Sequence, residues 1–367
     1  MRLVVFGLTI SSSWGNGHAT TYRALLKAFA ARGHEVIFFE RDESWYADNR
    51  DLPDPDFCRL VLYDGIGDLA RFRRTIATAD AIIIGSFVRD GVSISKKLFA
   101  RREGVIAFYD IDTPVTMAKL ARAECTYLTP EVIPEFDLYL SFTGGPFLKR
   151  IEKVYGAKRA MPLYCSVDEE LYRPVASKKR WDLSYIGTYS VDRQPTLTRL
   201  LIDAARQRPD LAFAVAGPQY PADIAWPYNV ERLEHVSPED HPAFYAASRF
   251  TLNVTRRDMI EAGFSPSVRL FEAGACGCPV LSDGWRGLDT LFAPEREIIV
   301  CHETEDALAA LDMPDMGRRG LADAARQRVL AGHTGAHRAR ELEDYLTSVQ
   351  AKQRVARLPA EIGESVA

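Results

Sequence analysis

The stretch Gly263-Phe264-Ser265-Pro266-Ser267-Val268-Arg269-Leu270-Phe271-Glu272-Ala273-Gly274-Ala275-Cys276-Gly277-Cys278-Pro279-Val280 decides the fold. Ser265 or Ser267 can cap a helix, because a serine oxygen accepts a hydrogen bond from one of the first unpaired backbone N–H groups. The small residues Ala273, Gly274 and Ala275 let that helix lie close to a sheet, Gly277 ends it, and Pro279 to Ser282 reads as the next strand. A helix that starts there offers free N–H groups and a positive dipole end to a diphosphate. Arg269 adds a bidentate donor for phosphate oxygens. Glu272, a turn further on, suits a ribose diol, a use that doubly wound proteins make of an acidic residue. The alternative is a plain i, i+3 surface pair of Arg269 with Glu272; the apolar and small residues around both argue against it.

Outward from this segment the second half alternates apolar runs with helical spacing. Leu183 to Gly187, Leu211 to Gly217, Phe250 to Val254 and Ile298 to Cys301 read as strands, and helices are expected from Pro195 and near Ala243 to Ser248. The segment Tyr185 to Pro195 is a strand, a glycine turn at Gly187 and a helix start. It brings Thr188 and Arg193 forward as further diphosphate ligands.

The first half follows the same plan, with strands at Leu3 to Thr9, Val36 to Glu40, Arg59 to Tyr63, Ala81 to Gly85, Val105 to Tyr109 and Leu138 to Phe142. Uninterrupted apolar runs of this kind belong to parallel strands covered on both faces, which need crossover helices between them. Pro162, Pro174 and Lys178-Lys179-Arg180 separate the two periodic regions. The expected organisation is therefore α/β, with Rossmann-like doubly wound domains at 1–170 and 171–335 and a ligand cleft between them. A helix over 336–350 is expected to follow, and then a polar frayed tail over 351–367.

Two loops of the first half should face that cleft. Trp14-Gly15-Asn16-Gly17-His18 leads from the first strand into a helix. Its glycines allow close approach of a ligand, but the sequence is neither GxGxxG nor a Walker motif. A histidine in a first helical turn faces the positive dipole end, which disfavours its charged form and leaves it able to take a proton from a hydroxyl. The bland reading of His18 is loop ordering. At the end of the fifth strand, Asp110 and Asp112 reach the carboxyl edge of the sheet, Asp112 to orient His18 or bind a sugar hydroxyl and Asp110 to serve the cleft or cap the next segment. Phe142-Thr143-Gly144-Gly145-Pro146 is a similar junction.

Bulk composition excludes several classes. The 367 residues carry a net charge of -4 with 47% hydrophobic and 26% charged residues, which speaks against a nucleic-acid partner. Apolar runs are strand-sized, short of the roughly 20 residues that span a bilayer, and no signal-peptide pattern follows Met1, so a cytoplasmic protein without a transmembrane segment is expected. Six scattered cysteines fit neither a zinc knuckle nor a CxxC and read as buried thiols.

The pattern Ser-x-Arg-x-Phe-Glu-Ala-x-Ala-Cys-Gly-x-Pro at Ser267 to Pro279 resembles the CgeB-like glycosyltransferases within the glycosyl transferase group 1 set, and the resemblance extends to the loops at 14–18, 109–114 and 187–195. It implies a GT-B fold, a hexosyltransferase activity, and a nucleotide-sugar donor, preferably UDP-linked, held by the second domain with Glu272 at the ribose. It further implies a hydroxyl acceptor, no metal or other cofactor, and final helices that cross back to the first domain. Many retaining relatives carry a second glutamate eight positions before the ribose glutamate; here that position is Phe264. Rival readings are an epimerase or phosphorylase on the same fold and a non-enzymatic nucleotide-binding or regulatory protein.

Overall fold

The computed structural model describes residues 1–15, 17–100 and 104–357. Asn16, expected in the cleft, lies outside them. The first sheet contains β1 (Arg2–Gly7), β2 (Glu35–Arg41), β3 (Arg59–Tyr63), β4 (Ala81–Gly85), β5 (Val105–Asp110), β6 (Leu138–Ser141) and β7 (Ala160–Pro162), in the order β3-β2-β1-β4-β5-β6-β7. The second contains β8 (Trp181–Ile186), β9 (Phe213–Ala216), β10 (Val230–Leu233), β11 (Ser248–Asn253), β12 (Val280–Ser282) and β13 (Ile299–Val300), in the order β10-β9-β8-β11-β12-β13. Every pairing is parallel. Central strands β4 and β5 are buried at every residue, as a sheet covered on both faces requires. Strand order reverses between β1 and β4 and again between β8 and β11, so each sheet opens a crevice at the carboxyl ends of those strands.

The chain ends on the domain it began with. The helix Gly335–Arg357 packs on the helix His18–Ala31, and Gly335 lies so close to the Ala24 carbonyl that no side chain would fit. Tyr345 Oη donates to the Pro162 carbonyl at 3.1 Å and Arg159 donates to Ser348 Oγ at 2.7 Å. Fraying was expected from residue 351, yet the helix continues to Arg357. Polar residues there form the exposed side of a helix whose Val349 is buried and whose Gln350 amide donates to the Asp80 carbonyl at 3.2 Å. Residues 358–367 of that expected tail lie outside the described residues.

A second tie joins the domains at the segment that opened the sequence reading. Phe264 is in the left-handed region (φ 49°), unusual for a bulky residue. Its ring is pinched between Gly145 of the first domain and Gly287 of the second, where any side chain would collide with it. The Gly144 N–H donates to the Phe264 carbonyl at 2.9 Å, and Thr143 Oγ1 and Ser265 Oγ lie 2.8 Å apart.

His333 lies against Phe271 and Phe292, with ring centroids 4.6 and 6.1 Å away. Burial first, then the Arg338 and Arg328 charges, push its pKa from 6.5 down to about 3. The unfolded chain therefore binds a proton below pH 6.5 that the folded chain refuses. Stability is full above that value and falls as pH drops toward 3, by up to about 1.4 kcal/mol per pH unit. His333→Gln, which keeps an acceptor for Arg338, should flatten the difference in urea midpoint between pH 7 and pH 5.

Four cysteines are buried, while Cys58 and Cys125 are only half-buried. Among the described residues no helix is long and apolar enough to cross a membrane.

Candidate active site

Between the two carboxyl edges lies a cavity of about 470 Å³. The loop after β1 forms one wall, and the sequence folds it rigidly. Buried Glu40 accepts from the Ile10 N–H (2.7 Å), the Ser11 N–H (3.0 Å) and Ser11 Oγ (2.6 Å). Asp51 accepts from Ser13 N–H and Oγ at 2.9 and 2.8 Å while pairing with Arg23 at 2.8 Å. The loop delivers Gly15, Gly17 and His18 to the cavity; Trp14 stays 38% exposed and does not line it. His18 Nε2 stands 3.6 Å from Asp112 Oδ2.

The two neighbouring aspartates have separate fates. Asp112 lines the cavity. Burial alone would raise its pKa, but the His18 hydrogen bond and the charges of His18, Arg256 and Arg193 outweigh burial and hold the carboxyl below its usual range. Arg256 and Arg193 belong to the other domain, so this carboxylate already senses both halves. Asp110 does not reach the cavity, contrary to the cleft role expected for it. It is fully buried, accepting from Tyr139 Oη (2.5 Å), Thr116 Oγ1 (2.8 Å) and the Asp112 N–H (3.3 Å), with burial pushing its pKa up to about 7. Asp110 is the last residue of β5 and is held within the sheet layer by Tyr139 and Thr116, whereas Asp112 lies past the strand at the cap of the helix Thr113–Ala121, which frees it to face the cleft.

The second domain supplies the opposite wall. Ser267 caps the helix Val268–Ala275, its oxygen accepting from the Arg269 N–H at 3.4 Å, and both residues line the cavity. Gly17 sits beside Val268, so two helix N-termini meet across the cleft. Ser265 was expected at the diphosphate but turns away to Thr143 and joins the domains instead. Arg269 lines the cavity floor, donating from Nε to the Ile186 carbonyl (2.6 Å) and from Nη1 to Asn253 Oδ1 (3.0 Å), with its guanidinium 4.8 Å from the centre of the Tyr185 ring. Gly187 has no room for a Cβ, which would come within 2.7 Å of Arg269 Nη2. Thr188 and Arg193 line the cavity, and Arg193 Nη2 donates to the Thr188 carbonyl at 2.6 Å while its buried Nε has no partner among the described residues. Glu272 is 3% exposed and lines the cavity; Tyr245 Oη lies 3.5 Å and His241 Nδ1 3.7 Å from its carboxylate, and Tyr172 is hydrogen-bonded to it as well.

Residues 193–344 match the family described as Glycosyl transferase-like. The whole architecture is shared with solved structures of low identity. Sucrose-phosphate synthase from Thermosynechococcus elongatus superimposes with a TM-score of 0.69 at 17% identity, covering 96% of this chain and 100% of that one. The fold is the GT-B arrangement of two Rossmann-like domains, and residues 193–344 are glycosyl transferase-like. Anabaena HepE in complex with UDP-glucose (TM-score 0.68, 14% identity, 95% and 100% coverage) is also similar to this chain. So is an alpha-glucosyltransferase in complex with UDP-glucose and DNA containing an abasic site (0.72, 16%, 95% and 99%). No curated protein matches in sequence. The family match is to the broad group and does not single out the CgeB-like one.

Sequence reasoning missed several residues of this cavity. Arg256, Thr255, His235, His241 and the loop at 217–219 all line the cavity. Asp283, its pKa raised by burial, accepts from the Thr255 N–H (2.9 Å) and Oγ1 (2.8 Å) and so fixes the turn that carries Arg256. The available signal was position alone: Val254-Thr255-Arg256 directly follows a strand at the reversal point of the second sheet.

Proposed function

We propose that this glycosyltransferase moves a hexose from a UDP-sugar to a hydroxyl acceptor without a bound metal. The observation that carries this reading is the convergence of Arg193, Arg256, Arg269 and two helix N-termini on one cavity that also holds the buried Glu272. Three guanidinium groups and two positive helix ends suit a diphosphate in the ground state and, more so, the charge that grows on it as it departs. Glu272 would accept from the ribose diol. In the transfer step the His18 imidazole takes the proton of the acceptor hydroxyl, and the freed oxygen bonds to the anomeric carbon. The bond from that carbon to the diphosphate breaks, and its electron pair leaves with UDP. Asp112, 3.6 Å from the imidazole, balances the positive charge that His18 acquires. The UDP-glucose complexes of the structurally similar HepE and alpha-glucosyltransferase support the choice of nucleotide.

Calorimetric titration with UDP, GDP, dTDP and NAD tests the reading. Saturable binding of UDP without binding of NAD is expected. Binding of NAD alone would replace the transferase reading with a dinucleotide-binding one.

A further inference from the structure

A separate cavity of about 370 Å³ lies along the carboxyl ends of β1 to β4, within the ~300–1,000 Å³ range typical of ligand sites. Trp45, Tyr63, Phe87, Arg41, Glu43 and Arg89 supply its side chains. We propose that this cavity is the acceptor subsite and that it takes a neutral pyranose unit of a carbohydrate acceptor. Its role as acceptor subsite rests on the transferase reading above; its chemistry does not.

Placement is the first argument. Phe87 lines the cavity and meets the His18 imidazole edge-on, with centroids 5.3 Å apart, so a ring bound there lies one aromatic side chain from the proposed base. Phe87 is also held at φ 65°, a strained conformation for a bulky residue and one that persists where surroundings or function demand it. Unmet polar capacity is the second argument. Tyr63 is 3% exposed, yet its hydroxyl has no hydrogen-bond partner among the described residues, a destabilising state that a ligand hydroxyl would relieve.

Charge selects the class of ligand. Arg41 pairs with Glu43 at 3.3 Å and with Asp90, and Arg89 pairs with Glu43 at 3.4 Å, leaving the site electrically balanced. A phosphate or carboxylate would have to displace one of these acids, whereas a polyhydroxylated ring can accept from the guanidinium groups and donate to the carboxylates as they stand. Trp45, 52% exposed at the rim, offers the flat apolar surface on which the C–H face of a sugar ring can lie.

The test is saturation-transfer NMR of the whole chain with methyl glucoside, methyl galactoside, methyl mannoside and methyl glucuronide, with and without UDP. At least one neutral glycoside should bind better than the glucuronide. Trp45→Ala should weaken it about tenfold, and Tyr63→Phe several-fold, while UDP affinity is unchanged and the thermal midpoint of Tyr63→Phe rises. The inference is overturned if no neutral glycoside binds a protein that binds UDP, if the glucuronide is preferred, or if Trp45→Ala binds as the wild type does. Glycoside binding that depends on Trp45 in a protein that ignores UDP would keep the carbohydrate site and sink the donor reading instead.

Discussion

Glu272→Ala raises the KM for the nucleotide-sugar about 100- to 1,000-fold while kcat stays within about tenfold, the loss expected when two hydrogen bonds to a buried carboxylate disappear from ground and transition states alike. The carboxylate is 3% exposed and lies 3.5 Å from Tyr245 Oη and 3.7 Å from His241 Nδ1. Glu272→Gln keeps the shape, loses the charge and should fall between the two. Calorimetry with UDP and steady-state kinetics read both effects, and an unchanged donor KM in Glu272→Ala would remove the ribose contact.

His18→Ala lowers kcat by about 10²- to 10⁴-fold, the usual contribution of a positioned general base, with donor affinity intact. Asp112→Asn should lower kcat less and move the pH profile. Burial raises the Asp112 pKa, but the His18, Arg256 and Arg193 interactions prevail and keep the carboxyl below its ordinary range. It stays ionised throughout the working pH, so its charge beside His18 is constant there. Retention of activity within about threefold in His18→Ala would assign proton removal to the departing phosphate instead.

The strands were legible because burial on both faces leaves little room for anything but apolar residues. Ala81–Gly85, buried at every residue, stands where the sequence placed it. β10, Val-Glu-Arg-Leu, was not legible, because an edge strand exposes half of itself and tolerates charge. The helix after Ser267 was readable from local capping chemistry. Ser265, two residues earlier, was misjudged because its partner Thr143 is 122 residues away, and no local pattern records such a contact. Asp110 and Asp112 look alike in sequence; the direction of each side chain at the end of β5 separates a buried acid from one at the cleft. Arg256 escaped notice because its importance comes from lying opposite Asp112 on another domain.

The returning helix has a consequence for how the protein is made. The face of the His18–Ala31 helix that holds Gly335 against Ala24 belongs to the first domain, but its covering is encoded after the whole of the second. At ~5–20 residues per second, ribosomes need roughly 15–60 s to travel from that helix to its cover. During this interval a nascent chain carries an unfinished first domain, and the second must be complete before the first is sealed. Premature termination near residue 335 would thus release a polypeptide whose lesion appears in a domain synthesised well before the break.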